Sequence, residues 1–255
     1  YEGNLIIKNL GQLANAQEMI KTGSDDPTVT VRGNVDVLVG TAGVTKDSIA
    51  SVNLILAKLR SVQGTVTLTT DADADLTALT YVTGNVALNG TDGAATITAG
   101  KLLTIDGNMT ITGLTGAISL PTLGSVGNVN ITEVAGKATV TSIDFSGMTS
   151  GKVETTTGNL VLAGATSVKL GGELPAVVTL AACTEFMHGG AVAQPALDLT
   201  LGGAAATMSI AATSFTGEVT ITTKGNVNLP AVTKIVKTQL IAQTAAVSYT
   251  HLRAH

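Results

Sequence analysis

Aromatic residues are almost absent from this chain: they make up 2% of its 255 residues, and tryptophan does not occur. The hydrophobic residues, 44% of the total, are therefore mostly valine, isoleucine, leucine and alanine. Small aliphatic side chains suit a thin core that is filled layer upon layer. The shortage of aromatic rings also removes the stacking platforms with which proteins bind single-stranded nucleic acid.

Charged residues are scarce as well, at 13% of the chain with a net charge of −4. This is about half the usual share for a globular domain. No basic cluster follows a phosphate backbone, so we expect no nucleic-acid partner. The surface must then consist largely of neutral residues, a composition typical of secreted β proteins, and we expect an extracellular or cell-surface location.

Cysteine occurs once, at Cys183, which excludes a disulfide framework and a cysteine-based metal site. The apolar setting of Cys183 favours a buried small residue over a reactive thiol. No run approaches the roughly 18 apolar residues that a membrane-spanning helix needs, so no transmembrane segment is predicted.

The last residues differ from everything before them and hold two of the three histidines. Residues 248–255 resemble the translated sequencing-adapter tail found on many metagenomic reading frames. We expect one elongated repeat domain over residues 1–246 and a non-native tail over 247–255.

A Gly-Asn pair recurs along the chain, each time followed by Leu, Val or Met and, two residues later, by another aliphatic residue. An eighth copy, at Gly64, has Thr65 in place of the asparagine. Recurrence of this kind is the signature of a repeat architecture. The seven copies are Gly3-Asn4, Gly33-Asn34, Gly84-Asn85, Gly107-Asn108, Gly127-Asn128, Gly158-Asn159 and Gly225-Asn226.

The full unit reads Leu-x-x-Leu-x-x-Val-x-Gly-Asn-Val-x-Ile and is clearest between Leu56 and Ile131. The second half of the unit, Val-x-Ile, alternates and predicts a strand. The first half, Leu-x-x-Leu-x-x-Val, has a period of three and predicts a 3₁₀-like return path. Units start 20 to 23 residues apart at Gly64, Gly84, Gly107 and Gly127. We therefore predict an all-β, right-handed parallel β-solenoid. Its recurring asparagines could form a ladder between neighbouring coils, and its two ends should expose unpaired strand edges.

Two segments have helical periodicity. Residues 10–22 place apolar side chains at helical spacing before Gly23, which predicts a short helical insertion in the first coil. Residues 48–60 also fit a helix, but their overlap with the repeat unit favours a strand.

These units resemble those of the bacterial relatives of receptor L domains and leucine-rich repeats, a family of surface proteins. Leucine-proline units at Leu174-Pro175 and Leu229-Pro230 extend the resemblance over most of residues 1–240. The resemblance implies a solenoid that presents surfaces for binding or adhesion.

Chemistry-bearing motifs are few. Asp71, Asp73 and Asp75 alternate like the first ligands of an EF-hand, so calcium is the one metal candidate, but the glycine and glutamate that the loop requires later are missing. His188 has no catalytic partner at a known spacing, and no nucleotide-binding, nucleophile-elbow or zinc-protease motif occurs. We expect no cofactor and no enzyme; a solenoid hydrolase would need two facing carboxylates.

Thr-x-Thr pairs raise a different alternative, because ranks of such pairs on a solenoid are typical of ice-binding proteins. The ranks would have to fall at one repeat position. The residue three after each motif glycine varies, which favours strand propensity and a neutral surface instead: Ile6, Asp36, Thr67, Ala87, Thr110, Asn130, Val161 and Asn228.

The sequence thus predicts a non-catalytic structural or adhesive repeat protein of a bacterial surface that associates end to end into filaments or continues into further repeats. A carbohydrate- or protein-binding module is the first alternative, and an ice-binding protein is the second.

Overall fold

The computed structural model describes residues 1–21, 28–40, 44–91, 96–134, 139–190, 193–203, 207–230, 232 and 234–242 of the chain. These residues form stacked parallel strands with two α-helices near the N-terminus. The predicted all-β parallel solenoid is confirmed. The predicted tail at 247–255 lies outside the described residues.

The helical elements are α1 (Leu10–Lys21), a 3₁₀ turn (Lys46–Ser48) and α2 (Ile49–Leu56). The strands, in chain order, are β1 (Leu5–Ile7), β2 (Val29–Val31), β3 (Val35–Leu38), β4 (Leu59–Val62), β5 (Val66–Thr70), β6 (Ala74–Asp75), β7 (Tyr81–Val82), β8 (Val86–Gly90), β9 (Ile97–Thr98), β10 (Thr104–Ile105), β11 (Met109–Thr112), β12 (Ala117–Ser119), β13 (Val129–Thr132), β14 (Ser142–Phe145), β15 (Val153–Thr155), β16 (Leu160–Leu162), β17 (Ser167–Leu170), β18 (Val177–Leu180), β19 (Glu185–His188), β20 (Ala193–Gln194), β21 (Leu197–Leu201), β22 (Thr207–Ile210), β23 (Ser214–Thr223), β24 (Val227–Asn228) and β25 (Lys234–Ala242).

In the part of the chain that the structure describes, four sheets line the solenoid, and the strand pairings within them are parallel. The first sheet has the order β1-β3-β5-β8-β11-β13-β15, and the second β10-β7-β4-β2. The third has the order β24-β22-β19-β17-β14-β12-β9-β6. The fourth is β16-β18-β21-β23-β20, with β25 also on β23. At a strand spacing of about 4.8 Å, the third sheet spans roughly 34 Å.

Coil length agrees with the predicted repeat where the motif is clearest. Val66, Val86, Met109 and Val129 pair in succession, so that a coil here takes 20 to 23 residues. Val129 then pairs with Val153. The long interval that the sequence shows after Gly127 is therefore not a missing coil, because a Gly-Lys-Val copy of the motif occupies the expected place.

The leucine-rich half of the unit makes a tight turn between sheets. The backbone N–H of Leu79 donates to the carbonyl of Leu76 (3.0 Å), and that of Leu123 donates to the carbonyl of Leu120 (3.2 Å). All four side chains are buried. A three-residue hydrogen bond that returns every third side chain to the core is the predicted 3₁₀-like return path.

Helices replace strands of the third sheet in the first two coils. The predicted N-terminal helix is present as α1, but the predicted strand over residues 48–60 is wrong for residues 49–56, which form α2. Val52, Ile55 and Leu56 are buried along one face of α2. The spacing of these three residues suits a helix. Only the next leucine and valine of the repeat unit, Leu59 and Val62, lie in a strand, β4.

Among the described residues the core is one aliphatic cluster with three buried phenylalanine rings in its second half. Phe145, Phe186 and Phe215 are each 0% exposed. Strand β23 has ten residues, twice as many as β5. This length lets β23 pair with both β20 and β21. The rings fill space that valine and leucine fill elsewhere in the core.

The two ends of the core differ. Leu5 and Ile7 of the first coil are only 3% and 0% exposed, because α1 packs against β1 and buries Leu13 and Ala16. Helix α1 therefore covers the core at this end, although β1 and β2 each pair with only one other strand among those that the structure describes. At the other end β25 pairs only with β23 among the strands that the structure describes.

Candidate functional site

Asparagine side chains link neighbouring coils along one margin of the first sheet. In four of the five steps of this Asn ladder, the Oδ1 atom accepts a hydrogen bond from the backbone N–H of the next member, at 2.8–2.9 Å. The exception is the step from Thr65 to Asn85, because threonine has no side-chain amide oxygen to accept the hydrogen bond. The members of the Asn ladder are Asn4, Asn34, Thr65, Asn85, Asn108 and Asn128.

Two copies of the motif lie elsewhere. Gly158 and Asn159 form the turn between β15 and β16, where Gly158 has a φ of +76°. Asn226 precedes β24 of the third sheet, whose Val227 pairs with Met208. The Gly-Asn signature thus marks one position of the first sheet in five copies and two unrelated turns in the others.

The glycines of the ladder are required by the approach of one coil to the next. A Cβ atom added at Gly84 would lie 2.7 Å from the carbonyl oxygen of Gly64, and one added at Gly107 would lie 2.8 Å from that of Gly84. Neither residue has a positive φ. Close backbone contact, and not backbone freedom, therefore explains these glycines.

A neutral polar surface covers the middle of the first sheet. It comprises eight outward positions on four consecutive strands, β5, β8, β11 and β13. We call it the first-sheet face. One row pairs Thr67, Ala87, Thr110 and Asn130 in succession, and the other pairs Thr69, Asn89, Thr112 and Thr132.

Ion pairs stand at both ends of this face. On the N-terminal side Lys8 pairs with Asp36, which is the register partner of Thr67. On the C-terminal side Lys152 lies 3.0 Å from Glu154, which pairs with Asn130. Each charge is neutralised by its neighbour, so the eight positions between them face solvent without a net charge.

The second row of the face was missed by sequence reasoning, which tested only the residue three after each glycine. The row five after each glycine gives Thr69, Asn89, Thr112 and Thr132 in the same alignment. Two residues in the tested row do not belong to it, because they lie in β16 and β24 of other sheets.

The Thr-x-Thr pairs that the sequence shows are spread over the four sheets and share no single position. They lie at β2 (Thr28/Thr30), β5 (Thr65/Thr67), β9 (Thr96/Thr98), β11 (Thr110/Thr112), the start of β14 (Thr139/Thr141) and β23 (Thr220/Thr222).

A second ladder, of threonines, runs along the third sheet. The Oγ1 of Thr166 donates to the carbonyl of Thr141 (3.3 Å), that of Thr184 to the carbonyl of Thr166 (3.2 Å), and that of Thr207 to the carbonyl of Thr184 (3.4 Å). Threonine thus joins coils in the later part of the chain as asparagine does in the earlier part. The recurrence of threonine at the start of each of these strands is the sequence signal from which this ladder could have been predicted.

The three aspartates predicted as calcium ligands lie just after β5 and within β6, and they make separate contacts. Asp73 accepts a hydrogen bond from the N–H of Thr96 (2.7 Å), and Asp75 accepts one from the N–H of Thr77 (2.9 Å). The Oδ1 of Asp71 is buried without a hydrogen bond among the described residues. Within the described ranges, no group of three or more His, Cys, Asp or Glu side chains is placed to hold a metal.

His188 lies inside the core. Its Nε2 is 2.9 Å from the carbonyl oxygen of Gly172, and Gln194 Nε2 donates to that same oxygen at 3.2 Å. Burial lowers the pKa of His188, and the hydrogen bond to Gly172 opposes this shift. The ring is therefore neutral at pH 7 and serves packing at a corner of the coil.

Cys183 is buried, as its apolar setting predicted. Its Sγ lies 3.1 Å from the carbonyl oxygen of Glu185. Burial raises the pKa of the thiol to about 11, so that the thiolate needed for nucleophilic attack is scarce at neutral pH.

Comparison of the chain with protein-family models, with curated proteins and with solved structures finds no match. No described helix is long and apolar enough to cross a lipid bilayer. The arrangement of the described residues offers hydroxyl and amide groups in ordered rows, which suits recognition of a surface through many weak hydrogen bonds.

Proposed function

We propose that this domain is a structural or adhesive repeat module of an extracellular bacterial surface, and that it works without catalysis. One observation carries the proposal: a single hydrophobic cluster runs through the stacked coils from Leu5 to Leu229. Each coil packs on its neighbours, so the stack resists bending and local opening. A rigid, mostly neutral rod suits a stalk or a display surface.

The difference between the ends gives the direction in which such a module would be extended. Helix α1 covers the core at the N-terminal end, where the single-partner strands β1 and β2 have only three residues each. Strand β25 offers a nine-residue edge without a second partner among the described strands. Unpaired strand edges favour addition of another strand. The proposal therefore places self-association, or continuation into further repeats, at the C-terminal end.

Sedimentation of the full chain over a range of concentrations tests this. The average mass should rise with concentration, and Ile241→Lys should keep the chain monomeric, because a lysine on an edge strand opposes edge pairing. Met187→Lys is the matched control: Met187 and Ile241 are 44% and 42% exposed, but β19, which carries Met187, pairs with a strand on both sides. A wild-type chain that stays monomeric at every concentration contradicts end-on association.

Kinship with the bacterial relatives of receptor L domains belongs to the same proposal. The recurring leucine-rich and Gly-Asn unit supports it, as does the strand-and-helix form of the first two coils. Leucine-rich repeats pair one strand with a helix or 3₁₀ turn in each unit. The later coils, which have strands on three sides, depart from that pattern.

A further inference from the structure

We propose that the first-sheet face binds ice. The inference does not rest on association at the C-terminal end, because the face and β25 belong to different sheets. It rests on the register of the eight outward positions, on their chemistry and on the absence of net charge between two ion pairs.

The register gives the face a two-dimensional period. Adjacent strands are about 4.8 Å apart, and outward residues along one strand are about 6.6 Å apart. None of the pairings from β5 to β13 contains a register shift. The rows therefore repeat in both directions, across the strands and along them, so that a crystal surface can engage several positions at once.

The side chains suit ordered water. Five of the eight positions are threonine, each offering a methyl group beside a hydroxyl, and the others are Asn89, Asn130 and Ala87. The methyl groups restrict where water can sit, and the hydroxyl and amide groups hold it by hydrogen bonds.

The alignment answers part of the objection that the sequence raised. The full row of the first sheet is mixed, but its three charged or aliphatic end members lie outside the face: Ile6, Asp36 and Glu154. The row three after each glycine looked irregular partly because Val161 and Asn228 were counted in it, and both lie in other sheets. With these removed, the central coils show threonine, alanine, threonine and asparagine in one row, and threonine, asparagine, threonine and threonine in the other.

Electrostatics favour a neutral crystal over a charged partner. Lys8 with Asp36 and Lys152 with Glu154 form ion pairs at the two ends of the face, and none of the eight positions carries a charge that would attract an ion or a charged polymer. No aromatic ring lies on the face for a sugar to stack against. Neutral ice is the ligand that needs neither.

A thermal-hysteresis assay of the full chain tests the proposal, because it measures the gap between the melting and freezing temperatures of an ice crystal. Thermal unfolding followed by circular dichroism confirms that each variant is folded. We expect the wild-type protein to shape ice crystals and to hold their growth below the melting point. Thr110→Lys, at the centre of the face, should abolish this gap. Thr98→Lys, which makes the same change at an exposed outward position of the third sheet, should preserve it.

A variant expected to gain activity guards against loss through misfolding. Ala87→Thr gives its row three consecutive threonines and should widen the hysteresis gap. The proposal is overturned if the wild-type protein shows no gap at millimolar concentration, or if Thr98→Lys removes the gap as fully as Thr110→Lys does. It is also overturned if the wild-type protein binds a neutral polysaccharide through Thr110 and leaves ice growth unchanged.

Discussion

Replacing Gly84 with alanine tests how closely the coils approach one another. The new Cβ would lie 2.7 Å from the carbonyl oxygen of Gly64, 2.8 Å from its carbonyl carbon and 3.0 Å from the nitrogen of Thr65. These are backbone atoms, which cannot rotate away as a side chain can. The two coils must separate locally, and overpacking of this kind costs about 1–3 kcal/mol.

Gly100→Ala is the matched control, because a Cβ atom at Gly100 meets nothing within 4 Å. There the substitution only restricts the unfolded chain, which is neutral or stabilising by up to about 1 kcal/mol. Thermal unfolding followed by circular dichroism compares the two variants, and each kcal/mol should lower Tm by about 2–4 °C. Equal melting temperatures for both variants would refute close backbone contact as the reason for the glycine.

Three further predictions follow from single contacts. Asn108→Ala removes the acceptor 2.8 Å from the N–H of Asn128, so it should cost about 0.5–1.5 kcal/mol and speed hydrogen exchange at Asn128; Asn226→Ala, outside the ladder, should do neither. Because burial lowers the pKa of His188 below its ordinary 6.5, stability is full above pH 6.5 and declines as pH falls through that value. Between pH 8 and pH 5 the wild-type protein should therefore lose more stability in urea titrations than His188→Gln, and equal losses would contradict this. Cys183, whose pKa is about 11, should resist a thiol reagent at pH 8 until urea unfolds the chain, and rapid labelling of the native protein would show the burial to be wrong.

The stacking of coils could be predicted because it follows from local spacing. Val66 and Leu68 alternate toward the core, and Val86 and Leu88 repeat the same pattern twenty residues later. A chain that repeats one amphipathic unit buries its apolar face by placing the copies side by side. The sequence therefore predicted the repeat length and the parallel sheet.

Other features depend on contacts between distant residues and could not be predicted. Leu56, Leu59 and Val62 fit a repeat unit, yet Leu56 ends a helix because Val52 and Ile55 continue a helical face before it. The Gly-Asn pair at Gly225 looks like the ladder copies, and only strand pairing shows that it faces another sheet. A motif gives the local bend, whereas the coil around it decides which sheet it joins.

The first-sheet face shows the same limit. Thr69 and Thr132 meet on one row only because the intervening coils keep their register over more than sixty residues. Composition indicated a neutral surface, and spacing indicated parallel strands. Which neutral residues lie side by side required the pairing itself.

Distances between spin labels test the stacked solenoid most directly. With Cys183→Ala as background, label pairs at Ile6 with Asn130 and at Asp36 with Asn130 span five and four strand steps of the first sheet. We predict narrow distributions near 24 Å and 19 Å, which differ by about one strand spacing. Broad distributions, or two distances that do not differ by one strand step, would contradict the parallel stack.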